Sequence, residues 1–374
     1  MKENKSEIFY LLFIIFSEIY WFNGIALGKM DYAKYLTYPF IVIALIFYII
    51  YFIMGKYSIK TIITLVIGVA ISLYYYIGTG LQFEGILTIV PAIIGLNGIN
   101  VKKVVKVMCY TLIVSFLFFI IANMIGVVPY SIETKVGRDG TEYDMLALGN
   151  QHGNPLYLFV FCIISSYLYI SKDKYNYRHF IFSLLIAIVA YLAFQSRTGF
   201  LLSIILIIGM PFVLKIKRIN KILKFFIKMF PTFMVIFVVL FSTVLYNTAI
   251  AQTLDKIITS RLSCANYYFT DFGTSLLPRY VPEYLVFDNM YAFMVVEYGI
   301  IFTVTYCFIY YKTIGKLLKN KRYVEIYMII LYALYSYCEK GFLKIFCNFP
   351  MLFIAYLLYD IFEENNEVKK NEKK

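Results

Sequence analysis

The stretch YLTYPFIVIALIFYIIYFIM, residues 35–54, decides the fold class. Its twenty residues carry no charge. At about 1.5 Å of rise per residue, a helix of that length matches the ~30 Å hydrocarbon core of a bilayer. Apolar runs of similar length recur on either side. The 374 residues are 61% hydrophobic and only 15% charged, whereas soluble domains carry about a quarter charged residues. The chain therefore reads as an all-α, polytopic integral membrane protein without a separable soluble domain.

About twelve spans are expected, at 8–27, 35–54, 60–78, 84–98, 104–128, 154–170, 180–195, 199–214, 229–248, 288–311, 324–338 and 348–361. They form one transmembrane domain over 1–362, followed by a mixed-charge, disordered tail at 363–374. The first run carries Glu18, Tyr20, Trp21 and Phe22 where a cleavable signal peptide would place small residues, so it reads as a retained span. The run at 84–98 is short and holds Pro91, which leaves a re-entrant segment as its alternative.

The net charge of +13 lies in short clusters between spans, not on a nucleic-acid-binding face. VKKVVK, KIKRINKILKFFIK and KTIGKLLKNKR fall in alternate links, which places both termini in the cytoplasm. KIKRINKILKFFIK has a second reading, a helix lying flat on an anionic leaflet. The six cysteines show no C-x-x-C spacing and read as small buried hydrophobes, with a Cys338–Cys347 bridge as the minor alternative.

Two links on the expected outer face are long, at about 129–153 and about 249–287. Long links in a compact protein are usually functional. The second mixes Arg261, Asp271, Arg279 and Glu283 with apolar positions and is expected to fold partly as helices. Polar residues gather at the same face. LGNQHGNPLY (148–157) holds His152 and Asn154, and QSRTG (195–199) holds Ser196, Arg197 and Thr198. FDNMYAFMVVEYG (287–299) holds Asp288, Asn289 and Glu297, and Glu339 ends a later span. A guanidinium presents a planar fork of donors suited to phosphate oxygens. Arg197 and Arg261 are thus candidate anion clamps, with a snorkelling interfacial arginine as the alternative for Arg197. Arg138 and Arg279 read as solvated loop charges. Asp288 or Asn289 is either a helix N-cap or a ligand-facing group, and Glu297 is a functional candidate because an ionisable group inside a span is costly. Nucleotide-loop, serine-elbow and zinc-helix motifs are absent. With two histidines, a histidine-rich metal site is excluded.

Taken in order, these segments resemble the Wzy family, the integral-membrane O-antigen and capsular polysaccharide polymerases related to the O-antigen ligases. LGNQHGNPLY resembles a G-[FN]-x-H-x-N segment, and SRTG an S-R-T-G link. ITSRLSCANYYFTDFG resembles L-S-x-R-L followed by an F-G turn. DNMYAFMVVEYG resembles D-N-x-Y…Y-G, and CEKGFLKIFCNFPMLF a late E…N-F segment. The resemblance covers about 148–355. The chain departs from it at Gly153, where proline is frequent, and in reading TSR at 259–261 where the pattern has SGR.

The resemblance implies a metal-independent glycosyltransferase with no cofactor, active at the outer face of the cytoplasmic membrane. The donor is a polyprenyl-diphosphate-linked oligosaccharide, and an acceptor hydroxyl attacks its anomeric carbon. Asp288 is then the general base, at the position where related ligases carry histidine, with His152 as second choice. Arg197 and Arg261 stabilise the leaving diphosphate. His152, Asn154, Asn289, Ser196, Thr198 and Glu339 bind substrate. Membrane lipids, a flippase and chain-length regulators are the further partners, and nucleic acid is not among them. A ligase-like transferase is one alternative. A flippase or transporter is another, and it would show repeated halves and helices broken at mid-membrane.

Overall fold

The structure is a computed structural model. It describes residues 5–27, 33–55, 57–80, 85–128, 130–136, 142–148, 153–258, 260–282 and 288–359. The helices are α1 (Lys5–Ala26), α2 (Ala33–Met54), α3 (Ile59–Gly78), α4 (Gly85–Ile94) and α5 (Val101–Met124). A hairpin of β1 (Tyr130–Val136) and β2 (Glu142–Leu148) follows. Then come α6 (Gly153–Ser171), α7 (Tyr177–Phe194), α8 (Arg197–Leu214), α9 (Lys221–Ser242), α10 (Ala249–Ile257) and α11 (Arg261–Phe272). The last helices are α12 (Met290–Phe293), α13 (Gly299–Lys319), α14 (Tyr323–Ser336) and α15 (Ala355–Leu358).

Among the described residues, nine helices are long and apolar enough to cross a membrane, counting Met290–Lys319 as one. Three shorter apolar helices, Gly85–Ile94, Tyr323–Ser336 and Phe349–Leu358, stand where the other expected spans were placed. This is the architecture of a polytopic membrane protein. The expected span at 84–98 contains a helix of only ten residues, about 15 Å, too short to cross alone. The all-α expectation holds for the fold, with one local addition in a link. Part of the 129–153 link is an antiparallel hairpin, with Tyr130 opposite Leu148 and Val136 opposite Glu142. Alternating residues such as Ile132, Thr134 and Val136 suit a strand. The GRDG sequence between the strands lies outside the described residues, as do His152, Arg138, Glu283, both ends of the chain and the expected tail at 363–374.

Helix starts follow local capping chemistry. Ser58, Asn100, Asn176, Asn220 and Thr248 each accept a backbone N–H from the first turn of α3, α5, α7, α9 and α10. The Asn220 cap, 2.7 Å from the Leu223 nitrogen, starts α9 at Lys221. Lys221–Lys228 therefore forms the first turns of the crossing helix itself, not a separate helix lying flat on a leaflet. No disulfide joins the cysteines among the described residues. Cys109, Cys162 and Cys347 are buried as expected, whereas Cys264 is exposed.

The chain divides into two compact units. The first contains α1, α2, α5–α8 and the hairpin. Its core is α6, 78% buried against 22% for α2. α6 packs on α1, α5, α7 and α8. Lys103 pairs with Glu7 at 3.0 Å and Lys102 with Asp173 at 2.5 Å, so the starts of α1 and α5 meet the end of α6. At the other end β2 packs on α6 and α7. An apolar groove of about 670 Å³ runs beneath the hairpin, lined by Phe116, Ile120, Leu146, Phe182, Val189 and Phe194.

The second unit contains α3, α4 and α9–α15. Its core is the segment Met290–Tyr298, every residue of which is buried. Tyr291 anchors it by donating to the Ala333 carbonyl of α14 at 2.6 Å. The expected span at 288–311 is discontinuous. α12 passes into a π-helical turn, Met294–Tyr298, and the helix breaks at Gly299, whose φ is +86° and ψ 168°. Residues 273–279 fill the break. The N–H groups of Ile300 and Ile301 donate to the carbonyls of Ser275 and Leu276 at 2.7 and 3.3 Å. The Arg279 N–H donates to the Glu297 carbonyl at 2.9 Å, and its side chain donates to the carbonyls of Val296 and Gly273 at 2.9 and 2.6 Å. Backbone freed by a helix break has no water to bond inside a membrane, so other backbone must satisfy it. Arg279 is consequently a half-buried structural clamp, not a solvated loop charge.

Candidate functional site

The second long link folds largely as α10 and α11, as its pattern implied. α11 lies across one end of the second unit. Asn266 donates to the Ser242 carbonyl at the end of α9, at 2.8 Å. Tyr268 donates its hydroxyl to the Glu297 carboxylate in the π-helical turn. α11 also packs on α12. Glu297 is 3% exposed, so this hydroxyl gives a buried carboxylate oxygen one of the partners it needs.

The start of α11 is held by a residue that the sequence reading missed. Asp255, near the end of α10, accepts the N–H groups of Leu262 and Ser263 at 2.7 and 3.2 Å and the Ser263 hydroxyl. It caps a helix that is not its own. Local capping patterns look at the residue preceding the first turn, so they pass over it. That preceding residue is Ser260, in the left-handed region at φ +61°. It is also where the resembled motif carries glycine, the residue with least strain in that conformation. Ser260→Gly is therefore expected to match or exceed the wild-type stability, by up to about 1 kcal/mol, while Ser260→Val loses about 1–3 kcal/mol. Thermal midpoints in detergent check this, and a glycine variant less stable than the valine variant would refute it.

Held this way, Arg261 occupies the first position of α11 and is half-buried. It donates to the Ile258 carbonyl at 3.2 Å and reaches the Cys338 carbonyl, just after α14, at 3.5 Å. Glu339 follows Cys338 directly. Burial pushes the Glu339 carboxyl up to about 8, the Asp288 carboxylate adds to the rise, and Arg261 opposes it. Cys264, in the first turn of α11, feels Asp255, Asp288 and Arg261 together. Three residues nominated from separate segments, Arg261, Asp288 and Glu339, thus lie within electrostatic reach of one another, with Arg261 also reaching the backbone next to Glu339. Asn289 resolves toward its structural alternative. Its side-chain oxygen accepts the N–H groups of Tyr291 and Ala292 at 3.0 and 3.2 Å and caps α12. Its amide nitrogen is buried without a hydrogen-bond partner among the described residues.

Glu339 gives a pH prediction with a fixed sign. From its ordinary value near 4.5 up to about 8, the folded chain holds a proton that the unfolded chain has released. Stability from this group is full below that window and falls as pH rises through it. The thermal midpoint of wild type relative to Glu339→Gln should therefore drop between about pH 5 and 9. A difference that stays flat would remove the coupling to Asp288 and Arg261.

In the first unit, α7 ends at Gln195 in the left-handed region, φ +51°, and Ser196 begins α8. Ser196 is 4% exposed and does not cap the helix with its side chain. Arg197 is exposed at the first helical position, and Thr198 is half-buried beside it. The link is as short as its sequence implied. Asn154 is half-buried in the first turn of α6.

These features define a polytopic membrane protein with a cluster of one guanidinium and two carboxyl groups under a loop helix. No family model, curated protein or solved structure matches the chain.

Proposed function

We propose that this protein is a polysaccharide polymerase of the Wzy type, joining polyprenyl-diphosphate-linked oligosaccharide repeat units at the outer face of the cytoplasmic membrane. The observation that carries the reading is the placement of Arg261 against the Cys338 carbonyl beside Glu339, with Asp288 and Arg261 both acting on the Glu339 carboxyl. An acceptor hydroxyl oxygen forms the new bond to the donor's anomeric carbon. The bond from that carbon to the diphosphate oxygen breaks, and its electron pair leaves with the lipid diphosphate. Asp288 receives the hydroxyl proton. Charge growing on the diphosphate is met by the Arg261 guanidinium, which is held in advance by the carbonyls of Ile258 and Cys338 at the start of a helix capped by Asp255. Glu339, neutral at pH 7 by its raised value, donates a hydrogen bond to a sugar or phosphate oxygen. The resemblance also assigns diphosphate or substrate binding to Arg197, Ser196, Thr198, Asn154 and His152, and, separately, the apolar groove of the first unit suits a hydrocarbon chain.

One observation favours a second reading, transport of the lipid-linked unit. The apolar part of α13, Gly299–Tyr311, is thirteen residues and about 20 Å long, so the crossing needs the segment before Gly299 and the break falls within it. Discontinuous helices mark many transporters. Here the backbone groups at the break are bonded by residues 273–279, including the Arg279 side chain. Purified protein given a defined lipid-linked repeat unit in the presence of EDTA should produce a ladder of joined units. Movement of the unit across a vesicle membrane without any ladder would replace the polymerase reading with transport.

A further inference from the structure

At the end of the second unit away from α11, two basic segments are fixed side by side. Tyr323 donates its hydroxyl to the Lys217 carbonyl at 3.5 Å. Lys228 donates to the Tyr311 hydroxyl at 3.0 Å, and its ammonium lies 4.1 Å from the centre of that ring. α9 and α13 pack along one another. Segments 217–228 and 312–322 together carry ten lysines and arginines. The acid beside them in the chain, Glu325, is buried and paired with Arg322 at 3.6 Å.

The positive-inside rule accounts for the sign of this face but not for its form. Lys221, Lys224 and Lys228 follow one another at helical spacing along one side of α9. Ile222, Phe225 and Phe226 lie beside them, 72, 55 and 52% exposed. A stripe of ammonium groups thus adjoins a stripe of uncovered apolar side chains on a membrane-crossing helix. That pairing matches a molecule with an anionic head and hydrocarbon chains.

We propose that this face binds an anionic phospholipid, with its phosphate among Lys217, Lys221 and Lys224 and its acyl chains against Ile222, Phe225 and Phe226. The site is independent of the glycan chemistry at the other end of the unit.

The test uses the full-length protein in neutral detergent, titrated separately with dioleoylphosphatidylglycerol, dioleoylphosphatidylcholine and inorganic phosphate. Native mass spectrometry counts bound lipid, and thermal midpoints report its effect. Phosphatidylglycerol is expected to bind at least about tenfold more tightly than phosphatidylcholine and to raise the midpoint. The triple variant Lys217→Gln, Lys221→Gln, Lys224→Gln should lose that preference, and the corresponding triple arginine variant should keep it. Equal binding of the two lipids by wild type would overturn the proposal. So would inorganic phosphate reproducing the midpoint shift at the same concentration, or a glutamine variant that retains the full preference.

Discussion

Arg261→Ala is expected to lower the joining of lipid-linked repeat units by about 10²–10³-fold, the loss seen when one pre-positioned donor to a developing oxyanion is removed. Arg261 is the only cation among the three clustered groups, and its place is set by the Asp255 cap on α11. Lysine keeps the charge but not the planar fork, so Arg261→Lys should fall between wild type and alanine. The fold should survive, because α11 keeps its Asp255 cap and the bonds from Arg261 to the carbonyls of Ile258 and Cys338 are long ones, worth about 1 kcal/mol together. Arg279→Ala is the contrasting case. It removes donors from the helix break, so its thermal midpoint should fall before any specific effect on polymer length appears. Measuring ladder length and midpoint for both variants separates the two roles. Wild-type ladders from Arg261→Ala would end the proposed assignment.

The largest expected loss of stability is at Gly299. Its backbone, φ +86° and ψ 168°, lies where side-chain-bearing residues are strained by about 1–3 kcal/mol. A Cβ there would also lie 2.7 Å from the Leu276 carbonyl carbon and oxygen, atoms of the backbone that satisfies the start of α13. Gly299→Ala must therefore either strain its own backbone or push residues 275–277 out of the break. Gly273 separates these contributions. Its φ is +66° and ψ −169°, yet nothing lies within 4 Å of a Cβ placed there. Gly273→Ala should show the strain alone, about 1–3 kcal/mol, and Gly299→Ala clearly more. Equal midpoints for the two variants would mean that the packing of 275–277 against the break contributes nothing.

Legibility in the sequence followed cost. A charged side chain in an apolar chain is expensive, so Arg261, Asp288 and Glu339 stood out, and the charges of Arg261 and Asp288 reach the Glu339 carboxyl. Groups whose partners lie far along the chain did not stand out. Asp255 looks like an ordinary residue late in a short helix until α11 folds back over it. Arg279 looks like a loop charge until its segment enters the break. Asn289 was open between cap and ligand group because both roles use the same residue type at the same place, and only the geometry of α12 shows that its side-chain oxygen caps the helix.

The sequence by itself determined that the chain lives in a membrane and roughly where its helices run. These follow from hydropathy and charge, which sum over neighbouring residues. Only the tertiary structure decided that 288–311 is broken at Gly299, that 84–98 holds a helix too short to cross alone, and that part of 129–153 pairs as strands. Each of those depends on backbone groups finding partners many residues away, and such partners leave no local pattern to read.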